Sequence, residues 1–253
     1  MHPIIALWSH PRSMSTAMER VMRERGDLDC AHEPFMYDYY VHHARRQFAM
    51  FDVQDDQPVS YPDIRDMLLA RAEEAPVFFK DMSYYVWDQV LADEAFSARL
   101  INCFLIRNPV ASIPSYFKLD AKGSLEEMGL EAQYLHYQGL VARGQDPLVI
   151  NANDVRRDVK GVMTAMWAAI GLEYRAEAFD WQNPTPEDWQ QVEGWHGAAT
   201  QASGIKPLTP AEEAAQRDRF DEMAQEHPQM QGYLAHHLPF FEALKAKALA
   251  PET

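Results

Sequence analysis

Two turns rich in hydroxyls and arginine, about ninety-five positions apart (107 − 12), carry the most legible chemistry of this chain. The first is Trp8-Ser9-His10-Pro11-Arg12-Ser13-Met14-Ser15-Thr16, between an apolar run and a helical pattern. The second is Arg107-Asn108-Pro109 with Ser115-Tyr116, directly after the apolar run Ile101 to Ile106. Each lies where a strand gives way to a helix, a place where backbone N–H groups and the helix dipole favour an anion. Arg12 offers a forked cation suited to phosphate or sulfate oxygens, and Ser13, Ser15 and Thr16 offer hydroxyls and a helix cap. From Arg107 to Ser115 is eight positions (115 − 107), so a strand-end arginine and a serine two turns into the helix converge on one phosphate if the connection is tight. Alone, each turn reads equally well as a plain helix start beside a surface arginine. As a pair they point to a doubly phosphorylated nucleotide, although the first turn lacks both the GxxxxGK[ST] spacing and any glycine.

The elements that must position these turns follow from periodicity. Pro3 to Trp8 is an apolar run, and Ser15 to Arg25 follows with Ala17, Val21 and Met22 on one side, giving strand, turn, helix. Leu28 to His32 is a second run, closed by Glu33-Pro34, and Phe35 to Met50 reads as an aromatic-rich helix. A helix over Asp63 to Glu74, the strand Val77 to Lys80 and a helix over Tyr84 to Leu91 come next. The strand Leu100 to Ile106 then leads into a helix over Val110 to Leu119 opened by Pro109. Glu126 to Arg143 reads as one long helix, Pro147 to Asn151 as a strand, and Val155 to Ile170 as a helix closed by Gly171. Strands alternating with helices imply an α/β three-layer sandwich with a central parallel sheet. Residues 1–175 form this core, and 176–253 a helical C-terminal extension on the same domain, with helices over Pro210 to Glu226 and Tyr233 to Lys247 and a frayed end from Leu249.

The composition narrows the partners. With 23 Lys+Arg against 38 Asp+Glu the formal net charge is −15, so indiscriminate attraction to nucleic acid or an anionic membrane is not expected, and a bound anion must be held by local arginines. Cys30 and Cys103, the two cysteines, lie in apolar runs, which fits a reducing cytoplasm rather than a disulfide framework or structural zinc. There is neither a leader pattern at the start nor an apolar window long enough to span a membrane.

Pro11-Arg12-Ser13-Met14-Ser15-Thr16 resembles the 5′-phosphosulfate-binding loop of the sulfotransferase family, and Arg107-Asn108-Pro109 through Ser115-Tyr116 resembles its 3′-phosphate motif, in the same order along the chain. The resemblance covers roughly residues 3 to 175. It implies a P-loop-type fold and transfer of a sulfuryl group from 3′-phosphoadenosine-5′-phosphosulfate (PAPS) to a hydroxyl or amine of a small or medium acceptor, leaving 3′,5′-diphosphoadenosine, with no metal. Carried over residue by residue, it implies that Arg12 stabilises the leaving phosphate and that Ser13, Met14, Ser15 and Thr16 hold the 5′-phosphate. Arg107 and Ser115 would grip the 3′-phosphate. Such chemistry needs alignment and electrostatic stabilisation more than covalent catalysis.

Two departures stand out. Met14 occupies a position where the family often has glycine, so the turn is expected either to avoid φ > 0 or to be strained. Lys80-Asp81-Met82 stands where many cytosolic members place a Lys-x-His, so the base must come from elsewhere. Glu33, closing the second strand, resembles the general base of some bacterial and Golgi-type members; His32 is the reserve. Lys80 reads either as facing the site or as a solvated strand edge. His42-His43 and His236-His237 are set aside as metal ligands, because adjacent helical residues diverge and no partner is seen one turn away. Phe35, Tyr37, Tyr39, Tyr40, Tyr84, Tyr85 and Trp87 are candidates for an acceptor pocket, and Trp195-His196-Gly197 with Ser203-Gly204 for a closing loop. A nucleotide or small-molecule kinase and a non-catalytic nucleotide-binding protein of the same fold are the alternatives.

Overall fold

The strands β1 (Ile4–Ser9), β2 (Asp29–His32), β3 (Val77–Met82), β4 (Leu100–Ile106) and β5 (Leu148–Asn151) form one five-stranded sheet in the order β2-β3-β1-β4-β5, with every pairing parallel. The computed structural model describes residues 1–48, 50–192, 194–195 and 202–250. Helices α1 (Ser15–Glu24), α2 (Tyr61–Glu74), α3 (Ser83–Ala92), α4 (Glu94–Ser97), α5 (Pro109–Phe117), α6 (Leu130–Ala142), α7 (Ala152–Arg157) and α8 (Val159–Ala169) connect and cover the strands. Helices α9 (Pro210–Glu226) and α10 (Gln229–Lys245) follow.

The three-layer arrangement expected from the sequence is present, and β1 shows why. Ile4, Ala6 and Trp8 enter one apolar cluster with Phe79 and Phe104 of the neighbouring strands, Leu68 of α2, Val86 of α3 and Leu140 of α6. Ile5 and Leu7 enter the opposite cluster with Phe78, Cys103, Met18 and Met22 of α1, and Met166 and Trp167 of α8. A strand covered on both faces cannot alternate in polarity, hence the unbroken apolar runs in the sequence. Each of the Ile, Leu, Val, Met and Phe side chains here, fully buried, contributes about 1.5–3 kcal/mol. The chain leaves β1 toward β2 on one side and later crosses to β4 on the other, so the carboxyl ends of β1 and β4 flank a topological switch point.

Several boundaries differ from expectation for identifiable reasons. Phe35 to Met50 is not a helix; it holds a π-helical turn, Asp38–His42, followed by irregular chain. The Asp38 carboxylate accepts from the Tyr61 backbone N–H at 2.8 Å and from Gln89 Nε2 at 2.8 Å, tying the turn to α2 and α3. The stretch from Glu126 to Arg143 is interrupted by Gly129 at φ 78°, where a Cβ would lie 2.9 Å from that of His10, so only glycine lets this turn close on the first loop. Asp158 accepts from the Gly161 N–H at 2.8 Å and starts α8, which splits the helix expected over Val155 to Ile170. Leu249 is not frayed: its N–H donates to Val149 O at 2.8 Å, and Ala248 bridges the same residue beside β5.

Both C-terminal helices pack on α5 through Phe220, Ala224, Met230 and Leu234 against Ile113, Tyr116 and Phe117. This clamps the helix that carries Ser115. Among the described residues, no helix is long and apolar enough to cross a membrane.

Candidate active site

The two turns meet. His10, wholly buried, accepts from the Arg107 backbone N–H through Nε2 at 3.0 Å, so the loop after β1 is stitched to the end of β4. Burial, with lesser contributions from His237 and Arg107, holds the His10 imidazole down to about 3, so it stays a neutral acceptor. Arg107 donates through a terminal nitrogen to Arg12 O at 2.8 Å. Arg12 in turn donates Nε to Ser115 Oγ at 3.0 Å and a terminal nitrogen to Trp195 O at 2.9 Å, its guanidinium 5.7 Å from the Trp195 ring centroid. Asn108 caps α5 at the Val110 N–H, 3.0 Å away, with Pro109 in its first turn. The connection from Arg107 to Ser115 is therefore tight, as convergence required.

The loop is also strained. Arg12 lies at φ 62° and Met14 at φ 79°, the left-handed region that costs a non-glycine residue about 1–2 kcal/mol. Met14 thus adopts the conformation that glycine would supply, so the turn does not avoid positive φ. It starts α1 with no side-chain cap and no acidic residue in the first turn, leaving the positive end of that helix suited to an anion.

Around this loop a cleft of about 320 Å³ is lined by Arg12, Met14, Ser15, Thr16, Arg107, Arg156, Trp181, Trp195 and Lys206, among others. Arg107 and Arg156 also border an adjoining groove of about 500 Å³ that includes Ser115, Lys118 and Arg219. Four arginines thus gather in an acidic chain. Burial and then the charges of Arg156, Arg12 and Arg219 push Arg107 down to about 10, and burial lowers Arg12. Among the described residues, the Arg107 Nε and the Ser13 Oγ are buried without a partner. Buried donors left unmade are costly, and an anion's oxygens would satisfy them. The residues present therefore fit a phosphate- or sulfate-like anion. Arg156, Arg219 and Lys206 come from segments far along the chain and were not among the residues singled out; Arg156, just beyond β5, was the one with a positional signal.

Glu33 sits at φ 43° just after β2, its N–H donating to Lys80 O at 3.0 Å. Lys80 is not a solvated edge: it is wholly buried and its ammonium pairs with Glu33 Oε1. Tyr85 OH donates to Glu33 Oε2 at 3.4 Å, and His32 Nε2 lies 3.9 Å from Oε1. Burial and then the Lys80 charge keep His32 well below the ordinary imidazole range. Glu33 lines a small chamber of about 10 Å³ with Tyr40, Phe48, Tyr84, Tyr85 and Tyr116. Met82 and Trp195 line both this chamber and the arginine-lined cleft, so the carboxylate and the arginine cradle share a partition. Met82, where a histidine was sought, contributes apolar wall.

Of the other aromatics, Phe35 is fully buried among Tyr61, Phe79 and Trp8, Tyr37 donates to Gln191 Oε1 at 2.8 Å, Tyr39 packs on Tyr84 and Tyr85, and Trp87 packs on the core. Ser203 and Gly204 are described, Gly204 in the cleft wall, while His196 and Gly197 lie outside the described residues. The separation argued for His42 and His43 does not hold: Asp38, one turn before His42, brings the three possible ligand atoms within 4.8 Å of one another. Both Asp38 oxygens already accept hydrogen bonds, from Tyr61 and Gln89.

Comparison with known proteins adds the following. The family profile described as "Sulfotransferase domain" matches residues 2–248. Branched-chain-amino-acid aminotransferase-like proteins 2 and 1 of Arabidopsis thaliana are 23% identical over 208 residues and 24% identical over 217 residues. Each match takes in 80% of this chain and 36% of the relative, so the chain spans about a third of those proteins' length. Among solved structures, the sulfotransferase domain from the Synechococcus PCC 7002 olefin synthase is similar with TM-score 0.55 and 15% identity, over 88% of this chain and 94% of that one. The sulfotransferase domain from the curacin biosynthetic pathway is similar with TM-score 0.58 and 12% identity, over 89% and 98%. At such identities the structural likeness establishes a shared fold alone.

Proposed function

The chain belongs to the sulfotransferase domain family, and from that premise we propose that it transfers a sulfuryl group from PAPS to a hydroxyl or amine of a small or medium acceptor. The observation that carries this reading is the arginine cradle. Arg107, its Nε unpartnered, stands among Arg12, Arg156 and Arg219 at the switch point, in a chain of net charge −15. A site that concentrates cations against the global field is built for an anion with more than one charged end.

In this reading Arg107 and Ser115, with Arg156 and Arg219 nearby, hold the 3′-phosphate. Ser13, Ser15 and Thr16, at the start of α1, hold the 5′-phosphate, and Arg12 stabilises the charge that grows on the leaving phosphate oxygen. Trp181 and Ile205 give the cleft apolar walls for the base. The acceptor oxygen or nitrogen forms its bond to sulfur as the bond from sulfur to the phosphate oxygen breaks, and Glu33 takes the acceptor's proton. The cytoplasm, where Cys30 and Cys103 stay free thiols, is the compartment that suits the protein.

The test is incubation with sulfur-labelled PAPS and a panel of alcohols, phenols and amines. Label should pass to at least one acceptor with stoichiometric release of 3′,5′-diphosphoadenosine, and Glu33→Gln should lower transfer by roughly 10²–10⁴-fold while leaving nucleotide affinity nearly intact. Full activity in that variant would remove Glu33 as base.

A further inference from the structure

The π-helical turn Asp38–His42 has no part in the transfer reaction as described, yet with the residue after it the turn gathers three side chains that ligate metals. Adjacent residues of an ordinary helix diverge, which is why His42 and His43 make a poor pair in the sequence. Here the His43 N–H donates to Asp38 O at 2.9 Å, so the turn closes over five residues instead of four. The wider turn brings both histidines to Asp38. One ligand atom from each of the three residues lies within 4.8 Å of the others, and His43 Nε2 is 3.5 Å from Asp38 Oδ2.

Asp38 itself supplies a second, independent observation. Its side chain is wholly buried, and among the described residues the only basic group within ion-pair distance is the partly exposed His43. Buried carboxylates are ordinarily paired with a full charge or bound to a metal. The Asp38 oxygens accept from the Tyr61 N–H and from Gln89 Nε2, both at 2.8 Å. Two carboxylate oxygens offer about four lone-pair positions, so these bonds fix the plane of the group and leave it able to ligate. Outer hydrogen bonds of this kind orient the carboxylates of metal sites.

We infer that Asp38, His42 and His43 bind a divalent transition ion of the zinc class. Two imidazoles and one carboxylate suit Zn²⁺, Ni²⁺ or Cu²⁺, whereas Mg²⁺ and Ca²⁺ take oxygen ligands. Tetrahedral ligands bonded to Zn²⁺ at about 2.0–2.1 Å stand roughly 3.3 Å apart. The 3.5 Å between His43 and Asp38 is already close to that. The widest separation must close by at most about 1.5 Å (4.8 − 3.3), and His42 and His43 are both exposed, so rotation of a ring supplies it. Water completes the coordination. The ion takes no step in sulfuryl transfer; through Asp38 it ties the turn to α2 and α3. Tyr40, inside the same turn, lines the chamber at Glu33, so an occupied site steadies one wall of that chamber.

Calorimetric titration of the chelator-treated full chain with Zn²⁺ alone tests the site. Wild type should bind Zn²⁺ and give no heat with Mg²⁺ at the same concentration. His42→Ala and His43→Ala, at exposed positions where the fold tolerates them, should each weaken the dissociation constant at least tenfold, and Asp38→Asn should do the same. His236→Ala, which breaks a surface pair with Glu131, should leave it unchanged. Co²⁺ in place of Zn²⁺ should give wild type a visible absorption band that each histidine variant at the turn loses. If Asp38→Asn fails to fold, the two histidine variants and the Co²⁺ band decide. Absence of Zn²⁺ binding by wild type, an affinity kept within twofold in both His42→Ala and His43→Ala, or an equal loss in His236→Ala overturns the site and leaves only adventitious binding to surface histidines.

Discussion

Replacing Glu33 by Gln perturbs stability and turnover by separate routes, and the structure gives both magnitudes. The Lys80 side chain has 0% exposure and that of Glu33 5%, so the substitution leaves an ammonium in the interior with no counter-ion. Breaking a buried pair from one side costs about 3–5 kcal/mol, a large share of the ~5–15 kcal/mol that holds a domain folded. Adding Lys80→Met replaces the pair by apolar volume, which is commonly neutral or stabilising, so the double variant should recover most of the loss. Turnover should behave differently. Loss of a general base lowers it by roughly 10²–10⁴-fold, and removing Lys80 cannot restore it. Urea denaturation of wild type, both single variants and the double variant, alongside the transfer assay, reads both quantities. A cost below about 1 kcal/mol for Glu33→Gln would show that the pair is not desolvated as its burial implies. Recovery of turnover in the double variant would show that the carboxylate serves Lys80 and is not the base.

Three further expectations concern other parts of the fold. Met14→Gly should stabilise by roughly 0.5–1 kcal/mol, the relief of a left-handed residue less the added freedom of glycine in the unfolded chain; a clear destabilisation in urea contradicts the strain argument. His136 is fully buried against Trp8 and Phe104, and burial holds it down to about 3, below its ordinary 6.5. Between those values the unfolded chain binds a proton the folded chain refuses, so stability falls by about 1.4 kcal/mol per pH unit from this group as pH drops. His136→Phe should therefore gain on wild type at that slope from pH 6 to pH 4, and parallel curves would refute it. Arg219→Ala should weaken 3′,5′-diphosphoadenosine by about 1 kcal/mol and 5′-AMP hardly at all, read by calorimetric titration; equal losses would place Arg219 away from the 3′-phosphate.

What the sequence made legible follows from what each residue's surroundings owe to its neighbours in the chain. The strands β1 and β4 were readable because burial on both faces writes itself as a continuous apolar run. The two turns were readable because strand end, arginine and helix start are contiguous, although the cap expected of Ser13, Ser15 or Thr16 does not form and only α5 carries one, Asn108. Lys80 was not, since nothing local to a strand-end lysine reveals its full burial or the Glu33 carboxylate, from after β2, that pairs with it. Arg156 and Arg219 reach the cradle from α7 and α9, and such convergence is a property of the tertiary fold. The aromatic stretch after Pro34 misled for a related reason: its rings are buried by packing across elements, so their spacing does not report a helical stripe. Met14 shows a local rule broken at the loop after β1, where strain is tolerated because the surrounding hydrogen bonds hold the turn.

The central claim is that two distant turns grip opposite ends of one adenylate. It is tested most directly by thermal shift of the wild type and of Arg107→Ala with 3′,5′-diphosphoadenosine, 5′-AMP and ATP. At a hundredfold excess over its dissociation constant a ligand adds about 2.7 kcal/mol of stability, a readable displacement. Wild type should respond to 3′,5′-diphosphoadenosine well beyond 5′-AMP and ATP. Arg107→Ala should lose that preference by about 1.5–3 kcal/mol. Equal responses of wild type to all three nucleotides, or a preference untouched by Arg107→Ala, would contradict the account.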